Sequence, residues 1–143
     1  MIDKNGNYLR HILHGEIKTQ KNSLLSEILL EISRKLGAVI DDISPQAVAL
    51  ENVFYGKNVR SLIRQAHVRG VVIFTCTDKK IPVFEYSPLE IKKAVVGYGR
   101  AEKRQVQTMV KAILKLNALP PADAADALAA AICQANFLKE QAV

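Results

Sequence analysis

Glu51 closes the apolar run Ala47-Val48-Ala49-Leu50, so a strand over these residues delivers a carboxylate to its tip. α/β sheets place ligands at strand ends of this kind, although a lone charge that simply reaches solvent is explained as well by surface placement. Asp123 and Asp126 lie three residues apart in Ala122-Asp123-Ala124-Ala125-Asp126-Ala127-Leu128-Ala129, and on a helix both project from one face. One Asp at a helix start is explained by capping and by the macrodipole. Two on one face of an apolar run repel each other unless a cation lies between them. A divalent ion such as Mg²⁺ takes hard oxygen ligands of this type. From spacing alone, capping and metal binding account for the pair equally well.

The cations carry a second chemistry. Net charge is +6, yet residues 57–104 alone hold 11 basic and 4 acidic side chains, a net of +7. All of the excess therefore sits in the middle third, which reads either as a solvated surface or as a stripe for a polyanion, with nucleic acid favoured. The side chains offered to phosphates are Lys92, Lys93, Arg100, Lys103 and Arg104. Phe54 and Tyr55 follow Glu51 in a loop, where an aromatic is either tucked into the core or exposed for base stacking. Gly97-Tyr98-Gly99 is too short a glycine pattern to indicate nucleotide binding. His11, His14 and His67 have no partner spacing that supports a Ser–His or Cys–His nucleophile.

Elements must bring these groups together. Asn5-Gly6-Asn7 is a turn signal, with a strand expected from Tyr8 to Ile17; the partner strand that such a turn requires is expected to lie before the start of this chain. Leu25, Ile28, Leu29, Ile32 and Leu36 predict a helix from Leu24 to about Val39 with Ser23 as its cap. Ala47–Glu51 and Val83–Tyr86 read as strands. Asn58 is placed to cap a helix running to about Phe74. Ser87-Pro88-Leu89-Glu90 is a capping box with Pro at the first helical position, so a helix should start there and stop near Gly97. Helices about Ala101–Leu116 and Ala122–Leu138 follow, separated by Pro120-Pro121. Strands alternating with helices predict an α/β layer structure, a mixed β-sheet flanked by helices, in one domain spanning 1–143.

Composition narrows the class. The chain has 143 residues, 49% of them hydrophobic, which excludes disorder and suffices for one core. No apolar run is long enough for a membrane helix, and the first residues lack a secretory pattern. Cys76 and Cys133 are too few for a disulfide scaffold or a sulfur-based metal site, so a reducing cytoplasm is expected.

Taken together, several strings resemble the RuvC-type Holliday-junction resolvases. They are Ala49-Leu50-Glu51-Asn52-Val53-Phe54, Lys57-Asn58, Arg69-Gly70-Val71, Pro82-Val83-Phe84-Glu85-Tyr86, Lys92 with Val95-Val96-Gly97, Ala101-Glu102-Lys103 with Gln105-Val106-Gln107, and the Asp123–Asp126 string. The likeness runs from about Gly15 to Phe137 in the family's order. It implies an RNase H-like fold and a homodimer that cuts two strands of four-way junction DNA symmetrically, leaving 5′ phosphates and 3′ hydroxyls. A branch-migration helicase complex is the implied partner. Glu51, Asp123 and Asp126 match three of the family's four catalytic carboxylates, which implies two Mg²⁺ ions per subunit. Lys92 and Lys103 match lysines near the DNA backbone at the active site, which the resemblance implies are catalytic as well as DNA-binding; Lys57 and Arg69 join the implied DNA-binding set, and Phe54 matches an aromatic that stacks on bases at the junction centre. His67 stands where relatives commonly carry Gln.

One departure is large. The family opens with a strand ending in Gly-Ile-Asp-Pro-Gly, whose Asp is the fourth carboxylate, and that string is absent here. The expectation is that the central first strand is missing, through a start codon set too late or a truncated chain. Such a chain should bind junction DNA poorly and hardly cut it; the competing reading is a catalytically dead junction- or nucleic-acid-binding relative.

Overall fold

The computed structural model describes residues 1–20, 22–52 and 58–140, with side chains to residue 137. The chain begins with a hairpin: β1 (Ile2–Asn5) pairs antiparallel with β2 (Tyr8–His11), Asp3 facing Arg10 and Asn5 facing Tyr8. Gly6 turns the chain at φ 58°, a left-handed conformation that an unbranched glycine takes without strain. This corrects the expectation that the partner strand precedes the chain. Ile2–Asn5 is that strand, and Asp3 lies on it rather than in the turn. Two apolar residues, Ile2 and Leu9, suffice because the ladder is only four residues long on each side and Ile2 and Leu9 both pack on the core. Asp3 and Arg10 add an exposed cross-strand ion pair at 3.0 Å.

Helix α1 (Leu25–Ile43) is longer than its apolar pattern suggested, ending where Ser44 adopts φ 49° ahead of Pro45. Its cap is Leu24 rather than Ser23, and the Glu27 carboxylate accepts the Leu24 N–H at 3.0 Å. β3 (Val48–Glu51) and β4 (Val83–Tyr86) are joined through α2 (Val59–Asp78), whose start Asn58 caps by accepting the Ser61 N–H at 3.2 Å. The Val48 N–H donates to the Pro82 carbonyl and the Asn52 N–H to the Tyr86 carbonyl, so partner numbers rise together and the strands are parallel. The strands of the predicted sheet therefore occur as two ladders of opposite sense, β1–β2 and β3–β4, each two-stranded.

After β4, Ser87 and Glu90 form the expected capping box of α3 (Pro88–Val96), which Gly97 ends at φ 90°. Helices α4 (Lys103–Ile113) and α5 (Ala122–Glu140) complete the chain. Among the described residues no helix is long and apolar enough to cross a membrane.

Two compact units emerge. The first comprises the described parts of 1–16, 49–52 and 85–143. Its core is built by α3, α4 and α5 around Ile91, Val95, Val106, Val110, Leu128 and Ile132, with Ile2, Leu9 and Ala49 packed on it. The alanines of α5 let its neighbours approach closely, since Ala125 and Ala129 are fully buried. Polar anchors fix α5: Tyr86 donates its hydroxyl to Gln134, and the Lys4 ammonium reaches the Ala135 carbonyl at 2.8 Å. The second unit comprises the described parts of 17–48 and 53–84, essentially α1 against α2. There a Ser33–Thr75 hydrogen bond of 2.9 Å and a Lys79–Asp41 pair of 2.6 Å link the helices. Gly37 sits where an added Cβ would meet the Lys79 stem at 3.1 Å, so a small residue permits this approach. Cys133 is buried in the first unit and Cys76 in the second.

Candidate active site

Helix α5 starts directly after Pro120-Pro121, where proline ends one conformation and the Ala125 N–H donates to the Pro121 carbonyl at 2.8 Å. Asp123 therefore lies in the first turn and Asp126 on the next, both on the side that faces the start of α4. Lys103 is the first residue of α4, and its ammonium lies 3.8 Å from Asp123 Oδ1 and 3.3 Å from Asp126 Oδ2. The alignment of the two helices is held one turn further along α4, where Gln107 donates its amide to the Pro120 carbonyl at 3.1 Å. Lys103 and Gln107 are four apart and share a face. One fixes the helix start and the other uses it.

Glu51 arrives from the end of β3. Much of its side chain is accessible, yet partial loss of water around the carboxyl pushes its pKa up, and the charge of Asp126 adds to the push; Lys103 and Lys92 pull it back down. Asp126, Lys103 and Lys92, on α5, α4 and α3, thus each lie within electrostatic reach of Glu51 on β3. Asp123 joins them through Lys103. The exposures of Lys103, Asp123 and Asp126 are 57%, 84% and 38%, so each pairing is a surface interaction worth at most about 1 kcal/mol.

The donor chemistry suits a hard divalent cation, because three carboxylates supply only oxygen and two of them already hold a cation, the Lys103 ammonium, between them. Among the described residues no three His, Cys, Asp or Glu side chains close into a ready-made ion cage. The donor types suit such an ion, and in this structure the Lys103 ammonium lies between two of the three carboxylates.

The remaining candidates scatter. Lys93, Arg100 and Arg104 are exposed on or beside α3 and α4. Arg69 is half-buried on α2, in the other unit. Phe54 and Lys57 lie outside the described residues. The histidines are occupied elsewhere: His11 and His14 bond each other at 2.9 Å, and His67 bonds the Ile63 carbonyl at 2.8 Å. Two contributions escaped the sequence reading. Gln107 appeared there only as part of a string, although its place four residues after Lys103 was a usable signal. Lys103 was expected at the active site beside the DNA backbone, but not between the two aspartates, although a lysine opening a helix is disfavoured by the macrodipole and gains from an acidic partner.

A family model described as Crossover junction endodeoxyribonuclease RuvC matches residues 1–134. The chain is 45% identical over 134 residues to the protein of that name from Finegoldia magna, covering 93% of this chain and 82% of that protein. It is 43% identical over 138 residues to the one from Petrotoga mobilis, covering 96% and 85%. Among solved structures it is similar to T. thermophilus RuvC in complex with Holliday junction substrate, with TM-score 0.90 and 31% identity over 98% of this chain and 86% of that one. A second Thermus thermophilus RuvC structure matches with TM-score 0.86 and 30% identity, covering 99% and 86%.

Proposed function

The chain belongs to the RuvC family of crossover junction endodeoxyribonucleases and has its RNase H-like α/β fold, and from that premise we propose that it resolves four-way DNA junctions by metal-dependent hydrolysis of phosphodiesters, as paired nicks. The observation that carries the site assignment is the convergence of Glu51, Asp126, Lys103 and Lys92 from four elements, with Asp123 tied in by the same lysine. Glu51, Asp123 and Asp126 would hold divalent ions, Mg²⁺ by their hard oxygens. When bound, such ions activate water and stabilise the leaving oxygen. Lys92 and Lys103 place positive charge against the scissile phosphate, while Asp123 and Asp126, fixed on one helix, keep a constant spacing during the reaction. Lys93, Arg100 and Arg104 extend the same charge along the backbone; Phe54, Lys57 and Arg69 complete the DNA contacts in this reading.

Junction resolution needs two cuts, so we assign a homodimer, for which the exposed Val59, Ile63 and Phe74 of α2 offer one apolar face. A branch-migration helicase complex and a cytoplasmic setting belong to the same reading.

The test is single-turnover incubation of excess protein with a synthetic four-way junction and Mg²⁺. Paired nicks in opposing strands are expected, slow in the parent because its sequence holds three of the four carboxylates that the family resemblance implies, and slowed about 10²-fold or more further in Asp126→Asn, because misplacing reacting groups on the order of 1 Å costs that much. Absence of metal-dependent paired nicks from the parent protein would overturn the assignment.

A further inference from the structure

We propose that Lys103 is a resident counter-cation of the carboxylate site, displaced when a divalent ion binds and thereby released to grip a DNA phosphate. The inference rests on the metal-site reading above and deepens it. Three observations carry it. Lys103 occupies the first position of α4, directly after the cap residue Glu102, where the helix dipole disfavours a cation. Its ammonium instead reaches both Asp123 and Asp126, at 3.8 and 3.3 Å. The same charge acts on Glu51. One lysine therefore touches or influences all three carboxylates assigned to the ion.

A divalent ion and an ammonium cannot share the space between the same two carboxylates. The exchange is easy in one direction because the pairing is exposed, and because the four-carbon stem of lysine pivots freely at little cost. Once displaced, the ammonium is left beside the ion without a carboxylate partner, and a phosphate oxygen is the anion that substrate brings to it. Metal loading and phosphate binding are then coupled through one side chain, and by linkage each favours the other. The lysine also keeps the two aspartates from repelling each other while no ion is present.

The experiment measures Mn²⁺ and Mg²⁺ binding by titration calorimetry without DNA, so that activity plays no part. Four proteins are compared: the parent, Lys103→Gln, Lys103→Arg and Lys92→Gln. Lys103→Gln should bind the ions about threefold more tightly, the scale of an exposed ion pair removed from the competition. Lys103→Arg should match the parent, and Lys92→Gln should shift affinity less than Lys103→Gln. Thermal midpoints give a second reading: Lys103→Gln should melt below the parent in EDTA and draw level in saturating Mn²⁺. Unchanged or weaker ion binding by Lys103→Gln overturns the exchange while leaving the metal site standing. An equal gain in Lys92→Gln overturns it too, since general charge would then explain everything. If the parent binds neither ion, the metal-site reading itself fails and takes the exchange with it.

Discussion

Glu51 illustrates how a single residue carries the tension of a carboxylate partly stripped of water beside another acid. Partial desolvation and the nearby Asp126 raise its pKa above the ordinary carboxylate value. The folded state therefore holds the Glu51 proton more tightly than the unfolded chain does. Stability from this source is fully present below the unfolded pKa, about 4.3 for glutamate, and is lost as pH rises through the higher folded value. Gln cannot ionise and escapes the loss. In EDTA, Glu51→Gln should melt above the parent at pH 7, and the advantage should fade as pH drops below about 4. Thermal midpoints over a pH series check this; coincident midpoints at pH 7 would show that the ionised carboxylate is not strained. The local patterns, a carboxylate at a strand end and two on one helix face, were legible in the sequence, but only the family resemblance grouped Glu51, Asp123 and Asp126 into one proposed site. The ammonium between the aspartates was not legible, since Lys103 is about twenty residues away from them and only packing of α4 on α5 brings it there.

At the level of elements, that packing depends on a small polar clamp. The Gln107 amide bonds the Pro120 carbonyl, two residues before α5 starts. Gln107→Ala should cost about 1 kcal/mol, the net worth of one such bond, in urea denaturation. It should also slow junction cleavage more than an exposed α4 substitution such as Thr108→Ala, because Lys103 would lose its fixed approach to the aspartates. Equal cleavage by the two variants would confine Gln107 to stability. Element boundaries were readable wherever side chains write them. Ser87 with Glu90 marked the start of α3, Gly97 its end and Asn58 the start of α2. They were unreadable where tertiary contact decides. The second half of α1 continues past the apolar stripe to Ile43, with Ile40 buried near its end. The hairpin's first strand is not legible because its single apolar residue, Ile2, looks like part of an unstructured terminus until Ile2 and Leu9 of β2 are seen to share a core.

For the whole molecule, the distribution of buried apolar side chains is lopsided. Of the 17 buried hydrophobic residues among those described, only Ile40 and Cys76 belong to the α1–α2 unit, and the other 15 belong to the unit that holds the carboxylates. The site is thus built on the better-packed part, as preorganisation of charged groups requires. Each unit happens to contain one of the two cysteines, and both are buried and free. Burial pushes the Cys133 thiol up to about 11, so at pH 8 about one molecule in 10³ is thiolate, against roughly a quarter for an ordinary thiol. The protein therefore carries two covalent clocks that start only when their own surroundings open. With Cys133→Ala and Cys76→Ala variants, each leaving one clock, disulfide-reagent labelling under native conditions should trap Cys76 well before Cys133, because few buried contacts oppose opening around it. Identical rates would mean that the lopsided core nonetheless opens as a single cooperative body.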